Sequence, residues 1–246
     1  MLIEQNKIYN MDCLEGMKLI ADKSVDMIIC DLPYGVLALK WDKKLSAEQL
    51  WSEYNRIIKD NGAIVLTANM KLAIELINAN KRWFRYDIIW EKNMPVGFAN
   101  SNRQPLRSHE LILLFYKKVP TYNPQGLIEL EHKVIKIKRA SNRECAYKMD
   151  TLSKPHIKTH TNYPRSVWKY SNDNNKNIHP TQKPLQLFKD LILTYSNEGD
   201  TILDNCMGSG TTAIACIETN RNFIGFELDK HYFELANERI EASKMN

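Results

Sequence analysis

Thr201-Ile202-Leu203-Asp204-Asn205-Cys206-Met207-Gly208-Ser209-Gly210-Thr211-Thr212 is the stretch on which the fold turns. Thr201 to Asp204 reads as a short buried strand, and Thr211 to Thr219 as the helix after a glycine turn. A second strand, Asn222 to Glu227, and a closing helix from about Lys230 to Ser243 follow. Strand, glycine turn and helix in this order are how a doubly wound α/β sheet cradles a nucleotide. Gly208 and Gly210 let backbone come close to a ligand, and the helix start offers N–H groups with no partner inside the helix. A phosphate is the usual guest of such a turn. Here no lysine follows Gly210, so the Walker A pattern is excluded, and a carboxylate suits the same donors. Glu227 stands where an acid can accept both hydroxyls of a ribose. Asp204, Gly208, Ser209, Gly210, Thr211, Thr212 and Glu227 are therefore candidate cofactor contacts. Gly-Ser-Gly alone would be a tight turn; the acid one strand later makes it a candidate site.

The rest of the chain continues the alternation. Ile8 to Met11 reads as a short strand ending at Asp12, and Val25 to Cys30 as a buried strand. Ser46-Ala47-Glu48-Gln49 is a capping-box pattern that opens an amphipathic helix to about Ile58. Asn61-Gly62 breaks the chain before a strand at Ala63 to Thr67, and a helix follows from Met70 to Asn80. Strands fit Tyr86 to Trp90 and Glu110 to Tyr116. From Pro120 to about Asn177 the regular pattern fades into polar, basic, Asn-rich sequence with some strands, such as Val134 to Lys138. Regularity returns at Pro184, which suits the first position of a helix through Tyr195. The expected fold class is α/β: a doubly wound, Rossmann-like, mostly parallel sheet with helices on both faces. Residues 1–118 and 178–246 build it, and 119–177 form an insert too long to be an idle loop.

Composition sets the bounds. With 246 residues, 43% of them hydrophobic, the chain can bury one sizeable core and still carry an insert. No apolar run approaches the ~18 residues of a membrane span, so no membrane partner is expected. The start lacks a signal peptide's basic and apolar regions. Cys13, Cys30, Cys145, Cys206 and Cys216 are odd in number, scattered and without C-x-x-C. Neither a disulfide framework nor a metal site is expected, and a reducing cytoplasm is the simplest home. The net charge of +5 fits a nucleic-acid partner without requiring one. Its distribution is more informative: between Lys133 and Lys176 many lysines and arginines face only Glu144, Asp150 and Asp173.

Asp31-Leu32-Pro33-Tyr34 directly follows the buried run from Val25 to Cys30. A chain leaving a strand there presents a carboxylate, two backbone carbonyls and an aromatic ring at one mouth. That set suits a planar base with an exocyclic amine. Such an amine is a poor nucleophile, because its lone pair is conjugated into the ring. Asp31 can accept one N–H and the backbone carbonyl of Leu32 the other, drawing the nitrogen toward tetrahedral geometry. Tyr34 can stack on the base, and Pro33 fixes φ and holds the turn. None of this works inside a stacked duplex, so the base must be flipped out.

These two motifs, in this order, resemble the amino-methyltransferases of DNA. The order matches the circularly permuted "beta" group, in which the catalytic motif precedes the cofactor motif. Asn61-Gly62-Ala63-Ile64-Val65, Trp90-Glu91-Lys92, Arg107-Ser108-His109-Glu110 with Leu111 to Phe115, and His179-Pro180-Thr181-Gln182-Lys183-Pro184 extend the resemblance over about residues 8–117 and 179–241. It implies S-adenosylmethionine as cofactor and adenine N6 or cytosine N4 as methyl acceptor. By the same resemblance Thr181 and Lys183 lie beside the cofactor's methionine moiety, and Asp12 lies near its adenine. His109 becomes structural, a strand start beside the DNA cleft. An Asp rather than a Ser at the head of the catalytic motif points to adenine. Leu32 replaces the usual Pro, which is tolerable because only its backbone carbonyl is used. Asn205 and Cys206 stand where Pro and Phe are usual, implying a less rigid turn and a lost aromatic wall.

The expected activity is site-specific DNA adenine-N6 methylation of a flipped-out base in double-stranded DNA, within restriction-modification chemistry. Cytosine N4 is the nearest alternative. An RNA or protein-glutamine methyltransferase is opposed by the insert and the motif order. A non-catalytic partner subunit that binds only S-adenosylmethionine or DNA is the rival from another class, opposed by the intact Asp31, Pro33 and Tyr34. Val119 to Asn177 lies where permuted members carry target recognition. Lys136, Lys138 and Arg139 there can neutralise phosphates, with Tyr147, Tyr163, Trp168 and Tyr170 interleaved. Asn93 to Leu106 is a second candidate contact, with Arg103 as its DNA-binding residue. A homodimer and a cognate restriction endonuclease complete the partners that the resemblance admits.

Overall fold

In the computed structural model, residues 3–34, 45–136, 156–171 and 182–244 are described. In chain order the elements are β1 (Lys7–Asn10), α1 (Cys13–Lys18), β2 (Val25–Asp31), α2 (Ala47–Ile57), β3 (Ile58–Ala68), α3 (Met70–Ala79), β4 (Phe84–Val96) and β5 (Arg107–Phe115). They continue with β6 (Ile128–Lys136), β7 (His156–Thr161), β8 (Val167–Tyr170), α4 (Leu185–Tyr195), β9 (Thr201–Asp204), α5 (Thr211–Glu218), β10 (Asn222–Glu227) and α6 (Lys230–Lys244). They group into two compact units, Met1–Asn123 with Ser166–Asn246, and Pro124–Arg165.

The first unit is built on an eight-stranded sheet in the order β1-β10-β9-β2-β3-β5-β4-β8. β5 pairs antiparallel with β3 and β4, and the other neighbours pair parallel. Successive side chains of a strand point to opposite faces, and here both faces are apolar. Ile28 and Cys30 of β2, Ile64 and Leu66 of β3, and Leu111, Leu113 and Phe115 of β5 pack on one side with α1, α2 and α3. Met27 and Ile29, Ala63 and Val65, and Ile112 and Leu114 pack on the other with α4, α5 and α6. This is the doubly wound sheet that the strand-and-helix alternation predicts.

Several boundaries differ from the sequence reading. Asn61-Gly62 does not interrupt the chain, because β3 runs straight through it. Val25 lies opposite Ile58 and Met27 opposite Ala63, so the residues between bulge out of register. Gly62 is required there: a Cβ would stand 2.6 Å from the Asp26 carbonyl oxygen. Pro184 is the N-cap of α4 rather than its first residue. The short helix α1 and the strands β7 and β8 carry too little periodic pattern to read. β8, read as part of the insert, instead pairs parallel with β4, Ile89 opposite Val167 and Lys92 opposite Tyr170.

The second unit is an antiparallel ribbon of β6 and β7, with Ile128 opposite Thr161 and Lys136 opposite His156.

The starts of α1, α2 and α3 are closed by side chains. Asn69 caps α3, its Oδ1 accepting the Leu72 N–H at 3.0 Å. Asn69→Ala should lower stability by about 1 kcal/mol, read as a shifted urea midpoint at unchanged m-value. An unshifted midpoint would mean that water replaces the cap at no cost.

Candidate active site

The strand registers line up one edge of the sheet. Asp31 lies opposite Thr67, Ile28 opposite Leu203, Gly225 opposite Asp204 and Asn10 opposite Glu227. The carboxyl ends of β3, β2, β9, β10 and β1 therefore stand side by side and bring Thr67, Asp31, Asp204, Glu227 and Asp12 to a common edge. Between β9 and β2 the chain order reverses, the position at which open α/β sheets bind ligands.

The glycine turn after β9 is fixed from within. Asp204 is buried; its Oδ1 accepts the Cys206 N–H at 3.0 Å and its Oδ2 accepts the Thr212 hydroxyl. Gly208 and Gly210 take left-handed φ values of 54° and 80°. A Cβ on Gly210 would stand 3.1 Å from the Ala236 Cβ, whereas at Gly208 no atom lies within 4 Å. Glu227 is buried at the end of β10, where Oε2 accepts the Gly208 N–H at 2.7 Å and Oε1 the Asp229 N–H at 2.8 Å. Burial raises its pKa, and those backbone donors oppose the rise. The Ser209 hydroxyl donates to Gln182 Oε1 at 3.4 Å, and the Ser209 carbonyl accepts from the Arg239 guanidinium. At the start of α5, Thr211 Oγ1 is buried with no hydrogen-bond partner among the described residues. Asp12 caps α1 through the Leu14 and Glu15 N–H groups, at 2.8 and 3.3 Å. Thr181 lies outside the described residues.

Asn205 corrects the expectation of a looser turn. It is buried, and its Oδ1 accepts the Tyr54 hydroxyl of α2 at 2.5 Å. Its Nδ2 lies 3.7 Å from Cys13 Sγ and 3.5 Å from Cys206 Sγ. A side-chain hydrogen bond to a buried tyrosine of α2 replaces the stiffness of a proline ring.

The mouth at Asp31 holds more charge than the sequence reading found. Leu32 is buried, while Asp31, Pro33 and Tyr34 are half-buried. Asp31 Oδ1 accepts the Thr67 hydroxyl and lies 3.3 Å from the Tyr34 hydroxyl, which is also 3.3 Å from Glu110 Oε2. Lys183 Nζ is 2.8 Å from Asp31 Oδ2 and 3.2 Å from Glu110 Oε2. Lys92 pairs with Glu110 Oε1. The Lys183 ammonium sits 5.6 Å from the Tyr34 ring centroid and 5.9 Å from that of Trp90. Burial pulls the Lys183 pKa down, but Asp31, Tyr34 and Glu110 outweigh it and hold the ammonium above its ordinary value. Burial pushes Glu110 up, but Lys183 and Lys92 outweigh that and keep it below the usual carboxylate range. Burial also drives the Tyr34 hydroxyl well above its ordinary value.

Thr67, Lys92 and Glu110 were not picked out from sequence as site residues. The signal was there: Trp90 and Lys92 share one face of β4 by period-two alternation, and Trp90 pairs with Glu110 across the ladder. Without knowing that β5 lies beside β4, the two segments read as separate motifs. Among the DNA candidates, Arg103 is exposed on the connection between β4 and β5, near Phe98, which is 80% exposed. Lys136 ends β6, but its side chain lies outside the described residues, as do Lys138 and Arg139 entirely. Among the described residues no helix is long and apolar enough to cross a membrane.

Burial pushes Asp204 from 3.8 up to about 7, against hydrogen bonds from Thr212 and Cys206 that favour its ionised form. Below 3.8 this carboxyl is protonated folded or unfolded. As the pH rises from there toward 7, the unfolded state releases its proton first, so the favourable contribution is lost across that window. Asp204→Asn keeps an acceptor for the Cys206 N–H and an amide for Thr212. Relative to this variant, the wild type should lose on the order of 4 kcal/mol of stability between about pH 4 and pH 7. Urea unfolding of both proteins across that range checks it; parallel curves would mean Asp204 titrates normally.

Comparisons with known proteins agree with this geometry. The family profile for N6 and N4 methyltransferases, described as DNA methylase, matches residues 25–238. "DNA adenine methyltransferase YhdJ" of Escherichia coli (strain K12) is 29% identical over 257 residues, covering 98% of this chain and 84% of the relative. "Type II methyltransferase M.HpaI" of Haemophilus parainfluenzae is 28% identical over 252 residues, covering 94% of this chain and 73% of the relative. The crystal structure of the M1.HpyAVI–SAM complex superposes with a TM-score of 0.62 at 27% identity, covering 95% of this chain and 98% of that one. The chain belongs to the DNA methylase family.

Proposed function

We propose that this protein is a site-specific DNA adenine-N6 methyltransferase that uses S-adenosylmethionine and acts on an adenine flipped out of double-stranded DNA. One observation carries the reading: across the reversal of chain order, the Asp31-Leu32 amine acceptors end β2 beside the glycine turn that ends β9. The turn's residues suit that cofactor. Thr211 Oγ1 is a buried hydroxyl without a partner among the described residues, and among them the space at Gly208 is open. Each oxygen of Glu227 accepts one backbone N–H and keeps a second lone pair, as ribose hydroxyls require. Glu227 would hold the ribose, and Gly208, Ser209, Gly210, Thr211 and Thr212 the amino-acid portion. Asp204 acts there by holding the turn, and Asp12, as the cap of α1, stands at the adenine end.

When bound, S-adenosylmethionine supplies an electrophilic methyl group on a sulfonium centre. The chain's own residues prepare the acceptor. Asp31 takes one amine N–H and the Leu32 carbonyl the other, so the nitrogen lone pair turns away from the ring. Tyr34 packs its ring on the base, and Pro33 keeps both carbonyls of the turn in place. Asp31, already the acceptor of an N–H, is the group placed to receive the proton that the methylated nitrogen gives up.

Adenine is favoured over cytosine because an Asp heads the motif and because YhdJ, a relative over nearly the whole chain, is by name an adenine enzyme. Residues 119–177 serve as the target-recognition region in this reading, with Lys136, Lys138 and Arg139 on phosphates and Arg103 contacting DNA from the other side of the sequence. A second copy of the chain and a cognate restriction endonuclease belong to it as partners, tested by light scattering and by restriction challenge of the modified DNA.

DNA from cells expressing the wild type should contain N6-methyladenine in one sequence context, and DNA from cells expressing Asp31→Ala none, at equal protein levels. Nucleoside mass spectrometry with modification-sensitive sequencing gives both answers; N4-methylcytosine in place of N6-methyladenine would move the reading to cytosine. Glu227→Ala should weaken S-adenosylmethionine binding by about 1.5–3 kcal/mol through lost charge-assisted hydrogen bonds. Calorimetry reads this directly, and an unchanged dissociation constant would remove Glu227 from the ribose.

A further inference from the structure

We infer that Lys183 is a positioning residue of the acceptor pocket: anchored by Glu110, it fixes the Asp31 carboxylate that receives the target amine. The inference rests on the proposed function only in taking Asp31 as the amine acceptor. The sequence resemblance sends Lys183 to the cofactor's methionine moiety; its contacts lead elsewhere. An ammonium has three donors. Two are engaged by Asp31 Oδ2 at 2.8 Å and Glu110 Oε2 at 3.2 Å, and the ring faces of Tyr34 and Trp90 stand beside the third. With 7% of the side chain exposed, this is a desolvated charge held between two carboxylates.

The consequence for Asp31 is geometric. Its Oδ1 faces the hydroxyls of Thr67 and Tyr34, and its Oδ2 faces Lys183. Partners on both oxygens stop the carboxylate from rotating about its own axis. A carboxylate has about four lone-pair positions; with the Tyr34 proton directed to Oδ1, the one left open among the described residues is on Oδ2. The structure thus assigns the incoming N–H to Oδ2, beside the Lys183 ammonium. Glu110 makes this arrangement possible from β5, and Lys92 holds Glu110 in turn from β4. Without Lys183, Asp31 and Glu110 would face each other across the Tyr34 hydroxyl as two like charges. With Lys92 as the one cation left beside them among the described residues, their repulsion would turn the acceptor out of place.

The experiment uses the full chain with Lys183→Met, Lys183→Arg and Glu110→Gln. Methyl transfer is followed at saturating cofactor across pH, and S-adenosylmethionine affinity by calorimetry. Misplacing a reacting group costs about 100-fold, so Lys183→Met should lower kcat by about that factor. Cofactor affinity should stay within about 3-fold of wild type, a split that separates transition-state positioning from binding. Its pH profile should also differ from that of the wild type, because Asp31, Glu110 and Tyr34 then share their mouth with Lys92 as the remaining cation among the described residues. Lys183→Arg should restore at least about a tenth of the wild-type rate, because guanidinium also pairs with two carboxylates. Glu110→Gln, which keeps the side chain's shape, should lower kcat with cofactor affinity unchanged.

Loss of cofactor affinity by about 10-fold or more in Lys183→Met, with near-normal kcat at saturation, would return Lys183 to the cofactor and overturn the inference. So would wild-type kcat and pH profile in both Lys183→Met and Glu110→Gln. If the wild type methylates cytosine, the adenine reading falls and this inference stands, because Asp31 receives the same kind of amine. If the wild type transfers no methyl group, the function fails, and calorimetry on Lys183→Met still decides which ligand the lysine serves.

Discussion

A strand covered on both faces has no room for a polar side chain until it leaves the sheet. Met27 to Cys30 of β2 and Ile202 and Leu203 of β9 are fully buried, with neighbours alternating between two separate apolar cores. Polar groups in these strands are therefore pushed to their ends. The parallel registers then place those ends in one line, so Asp31, Asp204 and Glu227 become neighbours although they are far apart in sequence. The location of the chemistry follows from how the core is covered.

A row of partly buried carboxylates is costly unless each is compensated, and the fold uses a different device for each. Glu227 accepts two backbone N–H groups. Asp204 accepts a hydroxyl and a backbone N–H, and burial still moves it toward its neutral form. Asp31 has two hydroxyls and a lysine, and that lysine is shared with Glu110. Of these three devices only the last brings in full opposite charge, and it appears at Asp31, the carboxylate proposed to receive the amine. The Lys183, Glu110 and Lys92 cluster is assembled from three distant segments, and removing one member would strand the others in a dry site.

What could be read from the sequence follows the range of the interactions. The strand-turn-helix from Thr201, the strands of the central sheet and the helix behind Ser46 are set by local periodicity and capping, and they emerge at or near the expected residues. Asn61-Gly62 misled because the same dipeptide marks a turn and a bulge; only the paired strand, with the Asp26 carbonyl against Gly62, distinguishes them. β8 is four residues long and depends on β4 for its pairing, so no pattern of its own announces it. Asp31 was legible because its motif is contiguous. Lys183 was legible as a motif member but not in its contacts, and Glu110 carried no assigned role, since an ion pair between β5 and the segment leading into α4 exists only in three dimensions.

Tyr54 and Asn205 join α2 to the turn that follows β9. The bond lies in a dry interior, with Tyr54 fully buried, so neither partner can turn to water. A lineage that acquired proline at 205 would leave a phenol hydroxyl without an acceptor, at a cost of about 1–3 kcal/mol. Drift at either position is thus locked to the other. The two sites should change as a pair across descendants of this chain, tyrosine travelling with asparagine and a ring without a hydroxyl travelling with proline.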